Sequence, residues 1–340
     1  MCAQTLRRDQ PIERAALVLA LGIVVGGILA RPASAQSAAS GTIHGIVKDD
    51  RFNTDLRQPI TTEFTSSVER ELVANLGVRL GYVFRHRKDY YSNTGGGPNE
   101  LRPREVYNIA LNRRDPGPDG LVGTADDGGM VTIYDYDARY RGAAFVRNVL
   151  LNSPNADKIN TVEFSLTKRM SNRWAAQGSF WVVRNNNWIE LNFDTPNNDY
   201  FPKDETTDWA GNLSGSYVLP GDVTIAGFVV SKAGLKGART NVFRATDPLG
   251  GPPLRQLNTV TLRLEPWGAQ RAPAMTNVNL RGSKMFRLGG RRAFDVDVDV
   301  FNLLNRATPS NVTWISGPTF GFATEVLPAR VLRLGGRLSF

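Results

Sequence analysis

The sequence predicts an all-β fold, an antiparallel transmembrane β-barrel that is incomplete at about nine to ten strands, and three observations predict it. Reading back from Phe340, Leu338, Gly336, Leu334 and Leu332 alternate with Ser339, Arg337, Gly335 and Arg333. Such a strand has one flank for hydrocarbon and one for water. The same period-two alternation recurs in segments back to about Thr62. Short turns between these segments then alternate with long polar connections. That asymmetry fits short periplasmic turns at one rim and long extracellular loops at the other. Hydrophobic content is 41% and mean hydropathy is −0.27, too low for a bundle of membrane helices but suited to a barrel diluted by its polar face.

Taken in order, Arg7, Arg8 and Arg14 precede an apolar run from Ala15 to Ala30, and Ala33-Ser34-Ala35 offers a small-residue cleavage site. Residues 1–35 therefore read as a cleaved signal peptide, and export together with the barrel pattern places the mature protein in the cell outer membrane. Cys2, the only cysteine, would leave with it, so neither a disulfide nor a thiolate metal site is expected. The first strand, about Thr62 to Leu72, is the least regular. Val78, Leu80, Tyr82 and Phe84 alternate with Arg79, Gly81 and Arg85. Val162, Phe164 and Leu166 alternate with Glu163, Ser165 and Thr167, and Ser171-Asn172 turns into a strand from Trp174 to Val183. Trp209 to Leu219 follows, with Pro220-Gly221-Asp222 as the turn into Val223 to Val230. Thr276 to Ser283 leads through Arg287-Leu288-Gly289-Gly290 to Phe294, Val296, Val298 and Val300, which alternate with Asp295, Asp297 and Asp299. The connections 92–158, 184–207, 232–274 and 303–328 read as loops. Trp174, Trp209, Tyr90 and Tyr91 lie near strand ends, as an interfacial aromatic girdle requires.

Three carboxylates on one strand face repel unless solvated or neutralised. Arg281, Arg333 and Arg337 fall on the same expected face as Asp295, Asp297 and Asp299, which predicts a lumenal charge ladder. Leu332, Leu334, Leu338 and the terminal Phe340 suit capture of the last strand by the barrel-assembly machinery through strand addition.

Net charge is +9, which fits outer-membrane lipid and lipopolysaccharide as partners. Basic residues are spread along strands rather than gathered in a block, so no nucleic-acid partner is expected. The loop 115–128 carries Asp115, Asp119, Leu121, Asp126 and Asp127 at a spacing that partly matches an EF-hand loop, with Gly120 at the sharp turn. Carboxylates and a carbonyl on such a loop could hold Ca²⁺; the alternative is an Asp/Gly/Pro turn. His86 and Asp89 could form a hydrolytic dyad, but a rim position among Arg85, Arg87 and Lys88 is the simpler reading. The sequence holds no triad, zinc motif or phosphate loop, so the chain is not expected to be an enzyme, and no other cofactor is expected.

The run "FDVDVDVFNLLNR" (Phe294 to Arg306), with the closing "RVLRLGGRLSF", resembles the last two strands of TonB-dependent outer-membrane receptors. Arg57 to Asp89 and "DPGPDGLVGTADDGG" look like the Oar-like subgroup, and "GTIHGIVKDD" (Gly41 to Asp50) is similar to the opening of its regulatory-type β-sandwich. The resemblance implies ligand uptake coupled to the TonB system, although no coupling segment is recognisable. It also implies a plugged barrel of about 22 strands. Here residues 36–56 read as a remnant or linker of the sandwich and residues 57–340 as the C-terminal barrel portion, with no room for the plug or the first barrel half. The other functional expectation is a small self-standing outer-membrane protein with a structural or adhesive role.

Overall fold

The computed structural model describes residues 56–92, 104–142, 151–189 and 195–340. The segment read as a signal peptide (1–35) and Gly41–Asp50 lie outside them.

The fold is all-β. Nine long strands form one antiparallel sheet in sequence order: β1 (Ile60–Val73), β2 (Leu76–Lys88), β3 (Asp157–Ser171), β4 (Trp174–Trp188), β5 (Thr207–Leu219), β6 (Val223–Lys232), β7 (Met275–Gly289), β8 (Arg292–Phe301) and β9 (Val331–Ser339). A two-residue strand, Lys203–Asp204, joins the far end of β4. The order is linear: among the described residues β1 and β9 do not pair, so the sheet is not a closed barrel. β1 begins slightly earlier, and β4 runs further, than the side-chain alternation alone implies.

Each short turn contains residues in the left-handed region. Asn75 follows β1, and Asn172 and Arg173 join β3 to β4. Gly221 and Asp222 join β5 to β6, and Gly289 and Gly290 join β7 to β8. Two consecutive left-handed residues match the right-handed twist of flanking strands, which is why Asn, Asp and Gly occupy these sites.

Register places apolar residues of all nine strands on one face. Phe64 pairs with Phe84, Leu80 with Phe164, Val162 with Val182 and Tyr217 with Trp174. Leu213 pairs with Val229, Leu280 with Val300 and Val298 with Leu334. These residues stay open: Val68 and Leu334 are each 72% exposed and Leu213 is 52% exposed. The other face carries Glu63, Arg79, Glu163, Gln177, Asn212, Asn279 and the β8 aspartates.

The buried core lies in the connections. Three that read as plain loops contain hairpins: Ile109–Arg114 with Met130–Asp135, Thr240–Arg244 with Thr259–Arg263, and Pro309–Val312 with Ala323–Val326. Leu111, Ile133, Phe243, Leu254, Val260 and Leu262 form the common core of the first two, with Tyr200 of a further connection packed against it. The four long connections thus build one cap at the end of the sheet opposite the short turns.

Candidate functional site

Three features stand out: the charge ladder on the polar face, the rims of the apolar face, and the cap.

The ladder follows from register. Asp299 lies opposite both Arg281 and Arg333, and Asp295 opposite Arg337. Arg281 Nη2 is 2.9 Å from Asp297 Oδ2, and its Nε is 3.4 Å from Asp299 Oδ1. Arg333 Nη2 reaches Asp299 Oδ2 at 2.7 Å, and Arg337 Nη2 reaches Asp295 Oδ2 at 3.1 Å. The two flanking strands, β7 and β9, therefore neutralise the carboxylates that β8 brings together. The arginines are largely exposed, so each pair contributes only about 0–1 kcal/mol. On the opposite face of β9, Leu332, Leu334 and Leu338 line up outward, and Phe340 follows the strand 94% exposed.

The apolar face has aromatic rims. Trp174 and Tyr217 face each other near the short turns, and Trp209 packs 6.1 Å from Phe180 toward the cap. Eight residues separate Trp209 from Tyr217, roughly 26 Å of strand. That is close to the ~25 Å apolar band of membrane barrels. Near the short turns, Lys168 Nζ sits 4.7 Å from the Trp174 ring centre and Lys284 Nζ 5.5 Å from the Phe286 ring centre. Both lysines stand on the apolar face at its margin, and Lys168, itself buried, donates to the Arg169 carbonyl and the Ser171 hydroxyl at the turn.

No protein-family model matches this chain, and no curated protein matches it.

Within the cap, polar side chains stand in for backbone partners. Asp135 is fully buried and accepts from the N–H groups of Arg255, Gln256 and Tyr136 at 2.5, 2.9 and 2.7 Å. Asn197 brackets Tyr134, accepting from its N–H and donating to its carbonyl, both at 2.8 Å. Tyr200 donates to the Thr132 carbonyl at 2.8 Å. One side-chain amide thus extends the Met130–Asp135 strand edge. Asn302 and Asn305, just after β8, are left-handed and close the last connection. Asn302 donates to Pro328 O at 2.7 Å, and Asn305 accepts from Arg330 N at 2.9 Å. None of Asp135, Asn197 or Tyr200 has a sequence signature, because each partner lies in a different connection.

In this structure the carboxylates of the loop 115–128 have protein partners. Asp115 gives both oxygens to Arg239, at 2.7 and 2.6 Å, and both side chains are buried. Asp119 caps Leu121 N at 2.8 Å, and Asp127 caps Gly123 N at 2.8 Å. Asp126 takes the Thr124 hydroxyl at 2.6 Å and Asp119 N at 3.2 Å, contacts that hold its carboxyl below the ordinary carboxylate range. Among the described residues no three His, Cys, Asp or Glu side chains gather as a metal set. The loop is a capped turn docked on its neighbour, with Gly317 N donating to Pro118 O at 2.9 Å.

Asp89 lies 3.5 Å from Arg57 Nη1, and no hydrogen bond joins it to His86. Tyr90 donates instead to Asp157 at 3.1 Å; burial first, then the Asp157 charge, pushes its hydroxyl up to about 12.

Proposed function

We propose that this chain is an outer-membrane β-barrel protein of the receptor type, akin to the TonB-dependent, Oar-like class, with ligand uptake as its role and no chemistry of its own. One observation carries the proposal: a single apolar face runs unbroken through nine strands and stays exposed. Half-exposed aromatic and aliphatic side chains in such number leave on the order of 1,000 Å² of hydrocarbon uncovered. Soluble monomers rarely leave more than a few hundred Å². Acyl chains are the solvent that suits it, with lipopolysaccharide and phospholipid at its rims. The polar face with its ladder then lines a lumen, and the cap faces outward. The exposed last strand suits strand addition by the assembly machinery.

The test is expression of the full chain in a Gram-negative host, followed by fractionation. The protein is expected in outer membranes, resistant to alkaline carbonate and released only by detergent. On intact cells, added protease should cut within the cap. A folded monomer in the soluble periplasmic fraction would overturn the proposal.

A further inference from the structure

A cavity of about 340 Å³ lies inside the cap, between the hairpin Ile109–Arg114 with its following turn and the hairpin strand Thr240–Arg244 with its own. Its volume is at the lower end for small-molecule sites. Its walls combine an apolar lining, including Leu121, Val242 and Phe243, with cationic and amide groups.

Three of those polar groups lack a full set of partners. Arg113 is only 2% exposed. Its Nη2 donates to Pro252 O at 2.6 Å and its Nη1 lies 2.6 Å from Asp247 Oδ2, but its Nε has no hydrogen-bond partner. That Nε is sealed from the cavity, so Arg113 contributes charge and wall rather than a free donor. Arg244 is exposed at the cavity wall, and its guanidinium makes no ion pair or hydrogen bond among the described residues. Asn241 is 8% exposed, and its amide likewise makes no hydrogen bond there. The one carboxylate lining the cavity, Asp247, is already neutralised by Arg113, so the site carries excess positive charge. That arrangement excludes a cation and gives a carboxylate charge-assisted donors.

We infer that this cavity binds a small organic acid, its carboxylate held by Arg244 and Asn241 and its apolar body seated against Leu121, Val242 and Phe243. The site lies wholly within the cap and goes beyond the membrane reading, so binding and fractionation are separate readouts.

The test is calorimetric titration of the folded full chain in detergent micelles with 3-phenylpropionate and with 3-phenylpropanamide, each corrected against micelles alone. The acid should bind saturably, and the amide at least tenfold more weakly. Arg244→Gln, an exposed change that removes no internal contact, should weaken the acid about tenfold. Arg330→Gln, an exposed arginine away from the cavity, should leave it unchanged. Three results would each overturn the site: no saturable binding of the acid, equal binding of acid and amide, or an Arg244→Gln protein that binds the acid as the parent does. An equal loss in Arg330→Gln would also overturn it, by reducing the effect to general surface charge.

Discussion

Asp115 and Arg239 show how a single residue can be drawn away from the role its neighbours in sequence suggest. Position 1 of a cation loop must turn its carboxylate inward toward the other ligands. Here the carboxylate turns outward to a guanidinium 124 residues away in sequence, which also donates to Ser316 at 3.2 Å and lies 3.5 Å from Glu265. The pair ties three connections together. Both side chains are less than one-tenth exposed, so removing one partner leaves a buried charge, a cost of about 3–5 kcal/mol. Arg239→Gln is expected to lower the unfolding free energy of the cap, read from urea titration, by that amount, and Arg239→Gln with Asp115→Asn to recover part of it. Added calcium should leave protease resistance unchanged in the parent and in Asp119→Asn/Asp126→Asn. A calcium-dependent gain lost in that double variant would restore the cation loop. Asp247 adds a pH dependence of known sign. Burial alone would raise its carboxyl, but the Leu249 N–H and the Arg113 guanidinium outweigh burial and hold it below the ordinary range. Its stabilising contribution is therefore complete above the unfolded value of about 3.9 and is lost as pH falls through the lower folded value. Proteolysis of the cap between pH 5 and 2 should show that loss, and Asp247→Asn should flatten the profile.

At the scale of the strand, alternation makes a prediction that a soluble sandwich would not share. Leu213 lies mid-way along β5 on the apolar face, and Ser214 is its neighbour on the polar face, where Asn212 donates to Ser179 at 2.7 Å. An arginine at a bilayer midplane costs about 2–4 kcal/mol on the lipid side and far less in a lumen. Leu213→Arg should therefore destabilise by that amount in urea titrations of folding into lipid vesicles, and Ser214→Arg should change little. Equal effects of the two would mean that both faces meet water. The strands and their faces were legible because period-two patterning needs only local residues. Asp295, Asp297 and Asp299 even pointed to the three arginines that neutralise them. The cap hairpins were not legible. Val260 and Leu262 alternate within a five-residue strand, but their packing partners Leu111 and Ile133 lie more than 100 positions away. The buried roles of Asp135 and Arg113 were hidden for the same reason, since contacts between loops leave no period in the sequence.

For the sheet as a whole, strand count decides what can pair with what. Nine strands joined only by antiparallel neighbours leave β1 and β9 running the same way, both from the cap end toward the short-turn end. Direct closure would set them parallel, unlike every other junction, and a twofold mate turned to make them antiparallel would put one cap on the wrong side of a membrane. An antiparallel seam needs an intervening odd number of strands, whatever supplies them, because open edges in hydrocarbon cost several kcal/mol for each unsatisfied group. Cysteine pairs test this directly in a Cys2→Ser background. Val298 and Leu334 are register partners on β8 and β9, so Val298→Cys/Leu334→Cys should form an intramolecular disulfide on mild oxidation. Pairing Leu334→Cys in turn with Phe64→Cys, Val68→Cys or Leu72→Cys should give none, because β1 and β9 are not neighbours. Efficient cross-linking in any of those three would show that the edges meet in parallel and that the sheet closes on itself.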